Sequence, residues 1–215
     1  MEEIIIIGAG GFGREVLWTI NDCNKNGKKY SVLGFVDDDQ TIQNSIIDGC
    51  KVLGGLEWIE NNYKKSMSCI IAIGDTNRKK EIEKKLKKIE PSYATIIHPS
   101  VISSKSIIIG EGTIIQAGVI LTINITIGKH VHINIDSTVG HDSIIENFVT
   151  INPGVHINGK TIIRNSAYIG TGAVMKQEVE IGKESVIGAG SVVLKNVPEK
   201  SLYAGVPAKL KRNIS

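Results

Sequence analysis

Two places in this 215-residue sequence carry residue types and spacings that could do chemistry. The first is His141-Asp142, within Val139-Gly140-His141-Asp142-Ser143. A carboxylate beside an imidazole favours its protonated form, raises its basicity and can fix its orientation, which suits a general base. The second is Gly8-Ala9-Gly10-Gly11-Phe12-Gly13. Its G-x-G-x-x-G spacing lets backbone N–H groups and a helix N-terminus approach a pyrophosphate. Asp37-Asp38-Asp39 follow an apolar run, where a nucleotide's ribose or base would lie. Each feature alone also fits a plainer reading: a structural His-Asp pair, a tight strand-to-helix turn that binds nothing, a solvated acidic turn.

The elements around the glycines support the nucleotide reading. Ile4–Ile7 reads as a short buried strand, followed by the glycine turn and a helix through Val16, Leu17 and Ile20. A second strand spans Val32–Val36 and a third Ile70–Ile73, ending at Gly74-Asp75. Thr76 or Asn77 then caps a helix to about Ile89, and Ala94–Ile97 forms a last strand. Three or four parallel strands over residues 1–96 make a small Rossmann-like α/β domain. It lacks the second half that would carry a nicotinamide, so the expected ligand is a mononucleotide, that of an activated sugar.

His141 sits in a different pattern. From Ile97 to Val193 an apolar residue recurs at every sixth position, with Ser103 the one exception. Four residues after each comes a small or β-branched residue, as in Val119, Val131, Ser137, Ala167 and Ser191. A period of six marks hexapeptide repeats, in which three six-residue faces make one coil of a parallel β-helix. Residues 97–215 are therefore a solenoid of about five coils, each hexapeptide turning one apolar side chain inward, with 198–215 as its cap. The basic end of the cap, Lys209, Lys211 and Arg212, reads as a solvated tail that could also meet a phosphate. Positions stacked on one another differ by eighteen residues, and no two of His98, His130, His132, His141 and His156 are so spaced. No metal site is expected within one chain.

The net charge is +3, and much of the positive charge sits in Arg78-Lys79-Lys80 and Lys84-Lys85-Leu86-Lys87-Lys88, interleaved with Glu81 and Glu83. Without aromatic residues this reads as a solvated helix face, and no nucleic-acid partner is expected. Cys23, Cys50 and Cys69 show no metal-ligand spacing and read as reduced, buried thiols of a cytoplasmic protein. Neither a signal peptide nor a membrane-inserting span is expected.

Taken together, Gly8 to Glu15, Gly34-Phe35-Val36-Asp37-Asp38, Ile71-Ala72-Ile73-Gly74-Asp75, Ile97-His98-Pro99, Gly140-His141-Asp142 and Gly205-Val206-Pro207-Ala208-Lys209 resemble the sugar O- and N-acyltransferases of the left-handed β-helix superfamily. The resemblance is to the branch that acetylates nucleotide-linked 4-amino sugars, with sialic acid O-acetyltransferases as near relatives. It implies a homotrimer, acetyl-CoA in the groove between neighbouring prisms, and a sugar nucleotide bound mainly by the N-terminal domain. Carried over by position, Gly10, Gly11 and Phe12 would line the sugar nucleotide, Asp37 and Asp38 its base or ribose, and Gly74 the loop beside it. His141 would be the general base and Asp142 its partner. Thr150, Thr171 and Ala189 would face the coenzyme, with Gly159 an oxyanion donor. Relatives can carry a second histidine where this chain has Thr150, so a role needing an imidazole there is not implied.

The expected reaction is N-acetylation of a nucleotide-linked 4-amino-4,6-dideoxy sugar for a surface glycan, without metal and without a covalent acyl-enzyme. O-acetylation of sialic acid or another sugar hydroxyl is the alternative reaction, and a non-enzymatic solenoid binding protein the alternative class.

Overall fold

The computed structural model describes residues 2–28 and 30–214. They fall into two compact units, one ending at Pro99 and the other beginning at Ser100.

The N-terminal unit is built on a six-stranded sheet. Its elements are β1 (Glu2–Ile7), α1 (Gly11–Lys25), β2 (Tyr30–Val36), β3 (Ile46–Ile47), β4 (Cys50–Gly54), α2 (Leu56–Asn62), β5 (Met67–Ile71), α3 (Thr76–Leu86) and β6 (Ser92–Tyr93). The strand order is β3-β4-β2-β1-β5-β6. Five of these strands run parallel, more than the three or four expected, and β3 joins β4 as an antiparallel hairpin. The apolar run of β1 is central, with Ile4, Ile5 and Ile6 fully buried, as a parallel strand covered on both faces requires. The chain steps from β1 outward through β2 to β4, then returns to place β5 on the other side of β1. That reversal leaves a crevice at the carboxyl ends of β1, β2 and β5, where parallel sheets of this kind hold ligands.

Several boundaries differ from expectation. The third strand ends at Ile71, because the chain leaves the sheet at Ala72, whose N–H still bonds to Ile7. Helix α3 is capped by Asp75, whose side chain accepts from the Arg78 N–H, and it stops at Leu86. The expected last strand is two: Ser92–Tyr93 joins the sheet, and Ile96–Ile97 is a separate strand. The charged run is not one solvated face. Lys79 shares the inner face of α3 with Ile82 and Leu86 and is fully buried, which pushes its ammonium well below the ordinary lysine range. Cys23 and Cys69 are buried, whereas Cys50 is partly exposed.

The second unit is the expected prism. Sixteen two-residue strands follow at six-residue spacing, from Ile102–Ser103 to Val192–Val193, stacked in parallel on strands eighteen residues away. Two positions of each hexapeptide are inward rather than one. From Ile115 to Val193 the apolar position is at most 1% exposed, and the small position four residues later is at most 4% exposed from Thr113 to Ser191. Buried hydroxyls at the second position donate to nearby carbonyls, as Ser137 does to Asn152, so the polar atoms carry no desolvation debt.

The corners explain the period. Every sixth residue from Gly112 to Gly190 has φ between 54° and 74°, whatever its type. This left-handed conformation bends the chain sharply, and Asn and Asp tolerate it better than other non-glycine residues. Asp142 is one of these corner residues, with φ 59°. The cap is a strand, Ser201–Ala204, parallel to Val186–Ile187, followed by an exposed antiparallel strand, Lys209–Asn213. Its basic residues lie on this solvent-exposed edge strand.

Candidate functional site

The crevice of the N-terminal unit is a cavity of about 580 Å3. All six residues expected at a nucleotide line it: Gly10, Gly11, Phe12, Asp37, Asp38 and Gly74. The glycines separate into two groups. Gly8 has φ 106° and packs on the Ala72 carbonyl, and a Cβ on Gly13 would overlap the carbonyl of Gly8. Both serve the tight turn. By contrast, a Cβ on Gly10, Gly11 or Gly74 would meet nothing within 4 Å, and none of the three has a left-handed φ. Neither backbone nor packing calls for glycine there, so the open space on the cavity wall remains as their common property. A side chain at these positions would point into that space, the situation in which a ligand approaches backbone closely.

The acids have different jobs. Asp37 accepts from the Ala9 N–H at 2.8 Å and the Asp39 N–H at 3.0 Å, so its two oxygens hold the glycine loop and the turn after β2. Asp38 accepts from the Leu56 N–H at 3.0 Å, and its other oxygen makes no hydrogen bond among the described residues. Asp37 thus lines the cavity with both oxygens already accepting from backbone, and Asp38 with one. Arg78, read from sequence as part of a solvated face, instead lines the cavity.

The prism positions His141 at a corner. Strand Thr138–Val139 ends at Gly140, and the next coil repeats this with His156–Ile157 and Asn158. Gly159 lies eighteen residues beyond His141, directly above it in the stack, and is buried against the imidazole. A Cβ there would come within 2.5 Å of Nε2 and 2.7 Å of Cε1. His141 itself is half exposed, and its Nδ1 lies 2.8 Å from Oδ2 of Asp142. The other oxygen of Asp142 accepts from the Asn124 amide at 2.7 Å. Asn124, eighteen residues before Asp142 in the same corner column, is a site residue that residue-by-residue reading missed. The eighteen-residue spacing is the signal that reveals it.

Hydrogen bonds from Asn124, then from His141, hold the Asp142 carboxyl below the usual carboxylate range. It is therefore an acceptor only at neutral pH, which puts the ring proton on Nδ1 and leaves Nε2 with its lone pair. The stabilising effect of this pair is fully present above the ordinary carboxylate pKa. It fades as pH falls through the lowered one. Asp142→Asn should keep the corner, since Asn also accepts φ near 59°, but lose control of the tautomer. The expected result is a fall of about 10²-fold or more in turnover with little change in melting temperature.

The remaining expected positions are divided. Thr171 and Ala189 stack eighteen residues apart at another corner, the one following the strands Tyr168–Ile169 and Val186–Ile187. With Gly172 and Gly190, where a Cβ would meet nothing within 4 Å, they form an open column of small residues. A slender coenzyme arm fits such a column. Thr150 lies on a strand rather than a corner and is 1% exposed. Within one chain, Gly159 thus stands with His141, Thr171 with Ala189, and Thr150 with neither. Among the described residues no group of three or more His, Cys, Asp or Glu side chains is arranged to hold a metal ion, and no helix is long and apolar enough to cross a membrane.

The position of Gly159 gives a direct test of ring placement. Its backbone is not left-handed and the atoms in the way belong to the end of a side chain, so Gly159→Ala should fold. Displacing the imidazole should nonetheless cost about 10²-fold in kcat, measured against an unchanged melting temperature.

Two family models match, in order along the chain: the PglD N-terminal domain over residues 3–86 and the bacterial transferase hexapeptide (six repeats) over residues 160–195. A curated relative, UDP-N-acetylbacillosamine N-acetyltransferase of Bacillus subtilis, is 32% identical over 123 residues. That stretch is 52% of this chain and spans only half the length of the curated relative. A solved mutant of perosamine N-acetyltransferase from Caulobacter crescentus, in complex with CoA and GDP-perosamine, superposes with a TM-score of 0.88 at 29% identity, covering 98% of this chain and 97% of that one. WeeI from Acinetobacter baumannii superposes with a TM-score of 0.85 at 32% identity, covering 96% of this chain and 98% of the other. The N-terminal unit is Rossmann-like and the prism a left-handed β-helix, the fold of these neighbours. With a relative this similar along nearly its whole length, and both halves matched in order, the chain belongs to the sugar O- and N-acyltransferase family of the left-handed β-helix superfamily.

Proposed function

We propose that this protein transfers the acetyl group of acetyl-CoA to the amine of a nucleotide-linked 4-amino-4,6-dideoxy sugar, a building block of a surface glycan. The observation that carries the chemistry is the His141 imidazole, with Nδ1 tied to an ionised Asp142 and Nε2 making no hydrogen bond among the described residues. Support for the acceptor comes from the cavity with three glycines that neither packing nor φ requires. The relatives named above, which include an enzyme solved with CoA and GDP-perosamine, support both substrates.

A sugar amine is mostly protonated at neutral pH and must first lose that proton to solvent to attack a thioester. Nε2 of His141 accepts a proton from the attacking amine as the C–N bond forms, which a positioned base makes about 10² to 10⁴ times faster. The oxyanion of the tetrahedral intermediate needs an N–H donor, the role we assign to Gly159. Collapse breaks the C–S bond, and the proton held on His141 passes to the departing thiolate. No covalent acyl-enzyme is needed in this reading, and no cysteine lies in the prism to form a thioester there.

The active form is a homotrimer in this reading. Ile102, Ile108, Ile120, Ile123 and Ile144 are 38–67% exposed on the outside of the prism, apolar side chains on two of its faces that burial against other copies would cover. A groove between copies would also bring a corner like that of Thr171 and Ala189 to face one like that of His141. Three free thiols suit a cytoplasmic enzyme.

Product chemistry tests the reading. Incubation with acetyl-CoA and an amino-sugar nucleotide should give a product one acetyl group heavier that resists hydroxylamine, as an amide does. A hydroxylamine-labile ester would assign the chain to O-acetylation instead.

A further inference from the structure

The cavity of the N-terminal unit is lined by three acids, Asp37, Asp38 and Asp39, and by a single cation, Arg78. An acidic crevice repels an anionic ligand unless something offsets the acids. Asp37 is already engaged by the N–H groups of Ala9 and Asp39, and Asp39 by the backbone and hydroxyl of Thr41. Arg14, the other guanidinium near the glycine loop, is bound to Asp48 at 2.7 Å and does not line the cavity. The Arg78 guanidinium has no carboxylate within ion-pair distance among the described residues. Its backbone is fixed instead: Asp75 caps α3 by accepting from the Arg78 N–H at 2.8 Å, so the side chain leaves the first turn of the helix at a set point on the cavity wall. Gly10 and Gly11, which begin α1, line the same cavity, and Gly10, the N-cap, brings no side chain to cap the helix.

Resting on the reading of this cavity as the nucleotide-sugar site, we propose that Arg78 binds the diphosphate of the acceptor and makes the site selective for nucleoside diphosphate sugars over free sugars and sugars linked through a single phosphate. A guanidinium offers two parallel N–H donors that match phosphate oxygens, and in the same cavity the loop glycines leave backbone open to the same group. The acids then serve the part of the ligand rich in donors: Asp38, with one oxygen uncommitted, can accept from ribose hydroxyls or a base N–H. A single phosphate would leave one side of this arrangement unused, and a free sugar would leave all of it so.

The test is calorimetric binding to the intact protein, with UDP and GDP as diphosphate probes and UMP and GMP as controls, in wild type, Arg78→Ala and Arg78→Lys. At least one diphosphate should bind 10-fold or more tightly than its monophosphate. Arg78→Ala should erase that preference, weakening diphosphate binding about 10- to 100-fold while hardly moving monophosphate binding. Arg78→Lys should fall between. Melting curves should coincide, because the side chain is exposed and takes no part in the core. Equal binding of diphosphate and monophosphate by wild type, no binding of either diphosphate, or an intact preference in Arg78→Ala would each overturn the proposal. Its fate is separable from that of the acetyltransfer reading. Diphosphate preference without thiol release from any amino-sugar nucleotide condemns the reaction and spares Arg78; thiol release whose acceptor KM ignores Arg78→Ala does the reverse.

Discussion

His141→Asn should leave the folded protein unchanged and reduce kcat by about 10² to 10⁴-fold, the range a single positioned base supplies. The side chain is half exposed at a corner, and its ring hydrogen bond is to the neighbouring Asp142. Removing it empties no core, so melting temperature should move little. Asparagine keeps a polar group of modest size but offers no lone pair of comparable basicity where Nε2 stood. His141→Ala should behave alike, with acceptor KM nearly constant in both, because the cavity we assign to the nucleotide belongs to the other unit. Near-normal turnover would remove His141 from the base role.

Glycines only a few residues apart should respond in opposite ways. Gly13→Ala drives a Cβ into the Gly8 carbonyl, whose carbon lies at 2.9 Å, and neither partner can move because both are backbone. A loss of about 3 kcal/mol is expected, which lowers the melting temperature by roughly 10 °C in a protein of this size. Gly11→Ala meets no atom within 4 Å and replaces glycine with a better helix former at the start of α1. Stability should hold or rise by up to about 1 kcal/mol, while nucleotide-sugar affinity falls 10-fold or more as the methyl enters the cavity. Calorimetric melting and ligand titration read the two effects separately. A loss of stability without loss of binding in Gly11→Ala would return the glycine loop to a purely structural role.

The contrast also shows how much the sequence could tell. The prism was legible because its period is imposed by geometry on every coil, and each repeat confirms the last. The second inward position and the left-handed corner were visible only as a bias in residue type, since Gly, Asn, Asp, His, Phe, Lys, Ser and Glu all occupy that corner. The β3–β4 hairpin is absent from the sequence expectation although Asp48-Gly49, with φ of 48° and 78°, is a strong turn signal between apolar runs. Its strands are short, and Arg14 rather than apolar packing engages Asp48. Within the charged run, Lys79 and Arg78 look alike as letters. Helical phase separates them: Lys79 shares a face with Ile82 and Leu86, and Arg78 is turned to the cavity. Asp37 was identified as a site residue, but its hydrogen bonds to the loop could not be deduced from its position after a strand.

The central claim, acetyl transfer to an amine carried on a nucleotide, is tested most directly by thiol release from acetyl-CoA with an amino-sugar nucleotide and free sialic acid assayed side by side. Release should require the amino-sugar nucleotide, saturate with it, and be absent with sialic acid alone. Release with sialic acid and none with any amino-sugar nucleotide would contradict the account.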